Sequence, residues 1–324
     1  MPDSDIEILE TARQWLQQGH ELALVTVLKT WGSSPRPPGS LLVMRRDGVH
    51  FGSVSGGCVE EDLLQRYQKH QLSTTFPVRI DYGVNRDDAA RFGLPCGGRL
   101  ELLVETLADA DHLQQFLDAM TEHRPMLRRV NLVSGEVSVT AASVEQEFEC
   151  SDTHASRVFG SQWTMLLIGA GQLSLYVSRI ALMLGYRVVV CDPREQYTSD
   201  WNEPGTEITR LMPDDAVHQF AQHARSIVIA LTHDPKLDDM ALVDALALPT
   251  FYVGAIGSKR NCQLRYTRLR QMGVNDQQLQ RLHAPVGLDI GSHTPAEIAV
   301  SILAGITKQR NSVVTPKSHA ACIQ

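Results

Sequence analysis

The spacing of apolar residues changes several times along the chain, and each change marks an element. Residues 162–194 read QWTMLLIGAGQLSLYVSRIALMLGYRVVVCDPR. Within them, 163–168 is an unbroken apolar run of buried-strand length. Gly169-Ala170-Gly171 follows at once, where a backbone must turn tightly and come close to something. Leu173, Val177, Ile180 and Leu184 then recur at helical spacing, which predicts a face that packs on a sheet. Residues 187–191 form a second apolar run, closed by Asp192. Strand, glycine turn, helix, strand and acid, in that order, open a dinucleotide-binding fold.

The pattern continues in the same sense. Residues 208–212 read as a short strand and 213–224 as a helix; 226–232 is a β-branched run that ends in Thr232-His233-Asp234. A helix over 237–248 and a strand over 251–256 follow, and the strand runs into Gly257-Ser258-Lys259-Arg260. Strands alternating with helices predict a parallel sheet. The amino-terminal half is patterned differently. A helix over 5–19 precedes a β-rich run at 22–29, and two runs at 40–45 and 49–54 are joined through Asp47-Gly48, a hairpin signal. Helical spacing returns at 59–70 and 110–123, strands are predicted at 99–105, 126–133 and 136–142, and 141–161 is polar and weakly periodic. The fold class is therefore α/β, with a carboxy-terminal Rossmann-like parallel-sheet domain and an amino-terminal α+β domain. The expected divisions are 1–145, a linker at 146–162, 163–310 and a tail at 311–324.

Composition narrows the function. The chain has 324 residues, 43% hydrophobic and 21% charged, enough for two cores of ordinary size. A formal net charge of -7 argues against a nucleic-acid partner, which requires a basic surface. No apolar stretch approaches a membrane span, and the start, MPDSDIEILE, is acidic where a secretory signal is basic. A cytoplasmic location is expected. The six cysteines, at 58, 96, 150, 191, 262 and 322, include no C-x-x-C pair and suggest neither a zinc ribbon nor a disulfide framework; no metal site is expected.

Candidate chemistry gathers at the glycine turns. In the carboxy-terminal half, Gly169, Gly171 and Gln172 open a helix whose free amides and dipole suit a phosphate, although the third glycine position holds Ser174. Asp192 stands where a carboxylate accepts from ribose hydroxyls. Arg194 suits a further phosphate or a salt bridge, and His233 a strand-end contact or a local hydrogen bond. Gly257 and Ser258 repeat the strand-to-helix turn, with Lys259 and Arg260 adding charge. Glu297 follows Thr294 and Pro295 as a capping box and belongs to helix stability. In the other half, Cys58 lies at the start of a helix behind Ser55, Gly56 and Gly57. Their amides form a concave nest, and the position favours a thiolate. Glu60, Glu61 and Asp62 oppose that preference. Cys96, followed by Gly97 and Gly98, is a second thiol in a glycine-rich turn. Such a pair holds a soft ligand, transfers sulfur or forms a redox disulfide, and spacing does not decide among these.

Taken together these stretches resemble the XdhC/CoxI accessory factors of molybdenum hydroxylases. The resemblance covers nearly the whole chain. It rests on GSSPRPPG at 32–39, GSVSGGCVE at 52–60, CGG at 96–98, GAG at 169–171, DPRE at 192–195, THD at 232–234, GAIGSKR at 254–260, and GLDIG at 287–291 followed by TPAEIAVSI. It implies a protein that binds the molybdenum cofactor, takes part in its sulfuration with a cysteine desulfurase, shields it, and helps insert it into the large subunit of a xanthine or aldehyde dehydrogenase apoenzyme. The GAGQLS turn and VCDPRE are most similar to members that serve enzymes carrying the cytosine dinucleotide form. On this resemblance the carboxy-terminal domain would hold the phosphates, and Cys58 and Cys96 would meet the molybdenum end. A homodimer is left open. Two rivals remain at this stage. An NAD(P)-dependent oxidoreductase shares the fingerprint but lacks an evident hydride-transfer set; an interaction scaffold would keep the turn only for packing.

Overall fold

The computed structural model describes residues 5–31, 36–72, 77–83, 99–108, 110–122, 124–143, 146, 148–160 and 163–314. The chain divides into two compact units, 3–161 and 162–324.

The first unit contains α1 (Asp5–Gln17), β1 (Leu22–Trp31), β2 (Leu41–Arg45), β3 (His50–Gly52), α2 (Cys58–Gln68), β4 (Val78–Tyr82), β5 (Arg99–Leu107), α3 (Ala110–Thr121), β6 (Met126–Asn131), β7 (Val137–Ala141), β8 (Glu149–Cys150) and β9 (His154–Phe159). An antiparallel sheet runs β3-β2-β1-β5-β4, and a second runs β7-β6-β9-β8. The central strand β1 is apolar on both sides because both sides are covered. Ala23, Val25 and Val27 pack with Val59, Leu63 and Tyr67 of α2, while Leu22 and Leu24 pack with α1 and α3 through Ile8, Leu9, Leu113 and Phe116. A bulge between Val27 and Lys29 shifts the pairing with β5 and turns Leu28 toward Leu103, Val130 and Ala155.

The expected linker belongs instead to the first unit. The polar stretch contains β8 and β9, and β9 pairs with β6 along its whole length, from Met126↔Phe159 to Asn131↔His154. Polarity misled because these strands are partly exposed, so little apolar periodicity is imposed on them. The division between units falls at residues 161 and 162.

The second unit contains β10 (Thr164–Ile168), α4 (Gln172–Met183), β11 (Arg187–Cys191), α5 (Glu195–Thr198), β12 (Thr206–Thr209), α6 (Pro213–Phe220), β13 (Ser226–Ala230), α7 (Pro235–Ala247), β14 (Tyr252–Ala255), α8 (Lys259–Gln271), α9 (Asp276–Leu279), β15 (Leu282–His283) and α10 (Pro295–Val314). Its strands form one parallel sheet in the order β12-β11-β10-β13-β14-β15. Alternate residues feed two cores. Leu166, Ile168, Val189 and Val228 meet α6, α7 and α8, and Met165, Leu167, Val190 and Ile229 meet α4 and α10. The strand order reverses between β10 and β13, and ligands of open α/β sheets lie outside the strand ends at such a reversal.

The buried face of α4 differs from the one the large apolar residues predict. Ser174, Val177, Ser178 and Ala181 are buried, whereas Leu184 is exposed. Small side chains allow the helix to approach closely, and the larger Leu173 and Ile180 pack along its flank. The last helix continues to Val314, past the expected start of the tail at 311.

Candidate functional site

The glycine turn sits where β10 ends. Gly169 has φ +108°, a conformation that favours glycine, and a Cβ there would stand 2.8 Å from Cγ2 of Thr232. The turn is thus fixed against the end of β13. Ser174, in the third glycine position, is buried and donates its hydroxyl to the carbonyl of Gly169, so the replacement both fits and ties down the turn. Gly171 is the N-cap of α4, with no side-chain cap, and nothing stands within 4 Å of where its Cβ would be. Gly171 and Gln172 are exposed. The first amides of an α-helix have no intrahelical partner, so α4 presents donors and the positive end of its dipole to open space.

Asp192, expected to accept from a ribose, is engaged by donors of the protein itself. It is fully buried. One carboxylate oxygen accepts from the Ala170 amide at 3.0 Å and from Arg194 Nη2 at 2.9 Å; the other accepts from Arg194 Nε at 2.8 Å and from the Arg194 amide at 3.1 Å. Burial disfavours the charge, but the Arg194 side chain and these amides outweigh it and hold the carboxyl below its usual range. A carboxylate with four donors and no exposure is not presented to a ribose diol. The group offered to solvent is Arg194, whose guanidinium also lies 4.1 Å from the centroid of the Tyr197 ring.

Arg194, Tyr197, the glycine turn, Thr232, His233, Ile256, Pro295 and Ile298 line a cleft of about 280 Å³. His233 is exposed in its wall. Four of these residues, Thr232, His233, Ile256 and Ile298, also line a cleft of about 610 Å³ that extends past Gly257, Ser258 and Asn261. Ser258 acts as N-cap of α8, accepting from the Asn261 amide at 3.2 Å, so its hydroxyl is already engaged. Glu297 accepts from the amides of His293 and Thr294 at 2.7 and 2.9 Å, and the capping role expected of it holds. The apolar GLDIG loop closes on α10, where the Leu288 amide donates to the Ser301 carbonyl at 3.2 Å. A Cβ on Gly287 would clash with Ser301 Oγ.

A charged network beneath the clefts was not anticipated. Asp238 is fully buried and accepts from Thr232 Oγ1 at 2.7 Å, from the Thr232 amide at 3.2 Å and from Arg265 Nη2 at 2.6 Å. Arg265 also donates to the Ile256 carbonyl at 2.9 Å, and Arg268 pairs with Asp239. Burial pushes the Asp238 carboxyl up, against Thr232 and Arg265. The sequence carried a signal for this network. Asp238 falls on the same helical face as Ala241, Leu242 and Ala245, and Arg265 on that of Cys262 and Leu269. A charge in register with an apolar face is buried and therefore paired.

In the first unit, the nest of Ser55, Gly56 and Gly57 is already filled. Glu60 turns back from the first turn of α2. Its carboxylate accepts from the amides of Val54, Ser55, Gly56 and Gly57 at 2.8–2.9 Å, and from the hydroxyls of Ser53 and Ser55. Burial raises the carboxyl, but the Ser55 hydroxyl and these amides prevail and hold it at about 2. The nest binds an anion, as its composition predicts, but that anion is the protein's own, and an outside phosphate would have to displace it. Cys58 is exposed at the first position of α2. Cys96, Gly97 and Gly98 lie outside the described residues. Among the described residues, no group of three or more histidine, cysteine or acidic side chains could hold a metal, and no helix is long and apolar enough to cross a membrane.

Comparison with known proteins bears on both units. Residues 165–306 match the XdhC Rossmann domain, and residues 15–83 match the XdhC and CoxI family. The molybdenum cofactor insertion chaperone PaoD of Escherichia coli K12 is 25% identical over 319 residues, which is 96% of this chain and 90% of that protein. A probable xanthine dehydrogenase component of Bacillus subtilis 168 is 23% identical over 326 residues, 92% of this chain and 96% of its own. YqeB of Escherichia coli K12, an uncharacterized protein, is 26% identical over 314 residues, but these are 47% of its length, so the chain spans about half of that relative. A solved structure described as a xanthine dehydrogenase from Bacillus halodurans is similar over 98% of each chain, with a TM-score of 0.71 and 25% identity.

Proposed function

The chain belongs to the XdhC/CoxI family, and from that premise we propose that it is an accessory chaperone. It binds the molybdenum cofactor as cargo and helps to insert it into a xanthine or aldehyde dehydrogenase-type enzyme, in keeping with its relative PaoD, a molybdenum cofactor insertion chaperone. One observation carries this reading. At the strand reversal, uncapped amides of α4 face a cleft whose lining, among the described residues, has Arg194 as its formally charged side chain, paired with the buried Asp192 beneath it. Such a site suits phosphate.

In the finer form of the proposal, Gly169, Gly171, Gln172 and Arg194 hold the pyrophosphate of the cytosine dinucleotide form, and His233 contacts the cargo from the cleft wall. Cys58 and Cys96 act in sulfuration of the cargo, with a cysteine desulfurase as sulfur donor and the large subunit of the apoenzyme as acceptor. The protein works in the cytoplasm. The burial of Asp192 also disfavours the rival oxidoreductase, which would use that carboxylate to bind the ribose of a nicotinamide dinucleotide.

The test is a reconstitution. Purified protein is loaded with molybdenum cofactor and mixed with a molybdenum hydroxylase apoenzyme, and recovery of activity is followed. Wild type should restore activity, and Gly171→Trp, which places an indole in the open space before α4, should lower it at least tenfold. Equal recovery with that variant would remove the phosphate site from the account. Delivery of fully sulfurated cofactor by a Cys58→Ser and Cys96→Ser double variant would remove the thiols.

A further inference from the structure

The cleft beside the glycine turn adjoins a second, larger one. The about 610 Å³ compartment shares the Thr232, His233, Ile256 and Ile298 wall with it, and each compartment alone is near or within the range of about 300–1,000 Å³ in which small-molecule sites fall. The two differ in chemistry. The larger one is floored by Asp238, Arg265 and Arg268 and rimmed by Asn261 and Leu264 of α8. Its floor is charge-balanced, with Asp238 and Asp239 paired to Arg265 and Arg268, and the excess cations stand at the amino end of α8. In a chain of net charge -7, the amino end of α8 carries no acid in its first turn, and it exposes Lys259 and Arg260. The helix dipole adds to that positive potential.

One further observation points to a ligand. Leu264 is 54% exposed in the same compartment, an apolar side chain set among charges, as a site for a ring requires.

We propose that this second compartment receives the anionic, ring-bearing end of the cargo that lies beyond the phosphates at the glycine turn, so that one ligand spans both compartments. The proposal rests on the phosphate-site reading above. Lys259, Arg260 and the amino end of α8 attract the charge, Leu264 packs on the ring, and the Asp238–Arg265 pair holds the shared wall at Thr232 and Ile256 rigid.

The experiment titrates the full chain with molybdenum cofactor released from a denatured molybdoenzyme and measures affinity. Asn261→Trp fills the compartment and Leu264→Glu adds a negative charge to it; both positions are exposed, and melting curves verify folding. Each variant should weaken binding at least tenfold. Affinities within twofold of wild type in both would overturn the second compartment while leaving the phosphate site in place. If wild type does not bind the cofactor at micromolar concentrations, the phosphate-site reading fails, and this inference fails with it.

Discussion

Glu60 sets the shape of the loop that carries Cys58, because one carboxylate gathers four amides and two hydroxyls. Its folded value of about 2 lies below the 4.5 of an ordinary glutamate, so its contribution is present above about pH 4.5 and is lost as pH falls toward 2. The shift corresponds to about 3 kcal/mol. Glu60→Gln should therefore lower unfolding free energy by about 2–3 kcal/mol at pH 7, and denaturation curves should show the gap to wild type narrowing between pH 4.5 and 2. A gap that does not depend on pH would separate the loop from this carboxylate. The glycines of the other turn divide in the same way. Gly169→Ala forces φ +108° and a clash with Thr232 and should cost about 1–3 kcal/mol, whereas Gly171→Ala meets nothing and should leave the melting temperature nearly unchanged. Sequence marked Gly169, Gly171 and the Ser55-Gly56-Gly57 nest because glycine spacing reports backbone shape directly. It did not show that Arg194 engages Asp192 and Glu60 engages the nest, because a motif identifies a donor or an acceptor but not the neighbour that reaches it first.

At the level of elements, the carboxy-terminal half was legible and its junction with the first was not. Parallel strands buried on both faces are continuous apolar runs, so β10, β11, β13 and β14 stood out, and the helices between them followed from their spacing. The strands β8 and β9 are short and partly exposed, and the pairing of β9 with β6 is a tertiary fact that local pattern does not encode. The same holds for the contact of α7 and α8. Asp238 and Arg265 join these helices to the ends of β13 and β14. Removal of one member of a buried pair leaves the other charge unpaired, at a cost of about 3–5 kcal/mol. Asp238→Ala should accordingly shift the urea midpoint well below that of wild type, and Asp238→Ala with Arg265→Met should recover part of the loss. If the double variant is no more stable than the single one, the unpaired arginine is not the origin of the cost.

Across the molecule, each unit contains its own apolar cores, and each sheet closes within one unit. A fragment spanning residues 162–324 should fold alone and melt in one cooperative transition, observed by far- and near-ultraviolet circular dichroism; a fragment without near-ultraviolet signal would contradict independent folding. In a chain of net charge -7, the exposed Lys259 and Arg260 at the amino end of α8 belong to the proposal that an anionic cargo binds beside them. The measurement that tests this most directly is mass spectrometry of the small molecules retained by protein purified under anaerobic conditions from a host that makes the molybdenum cofactor. Wild type should carry a pterin-bearing mass in near-stoichiometric amount, and Gly171→Trp should have lost it. A nicotinamide dinucleotide in wild type, or the pterin undiminished in Gly171→Trp, would contradict the account.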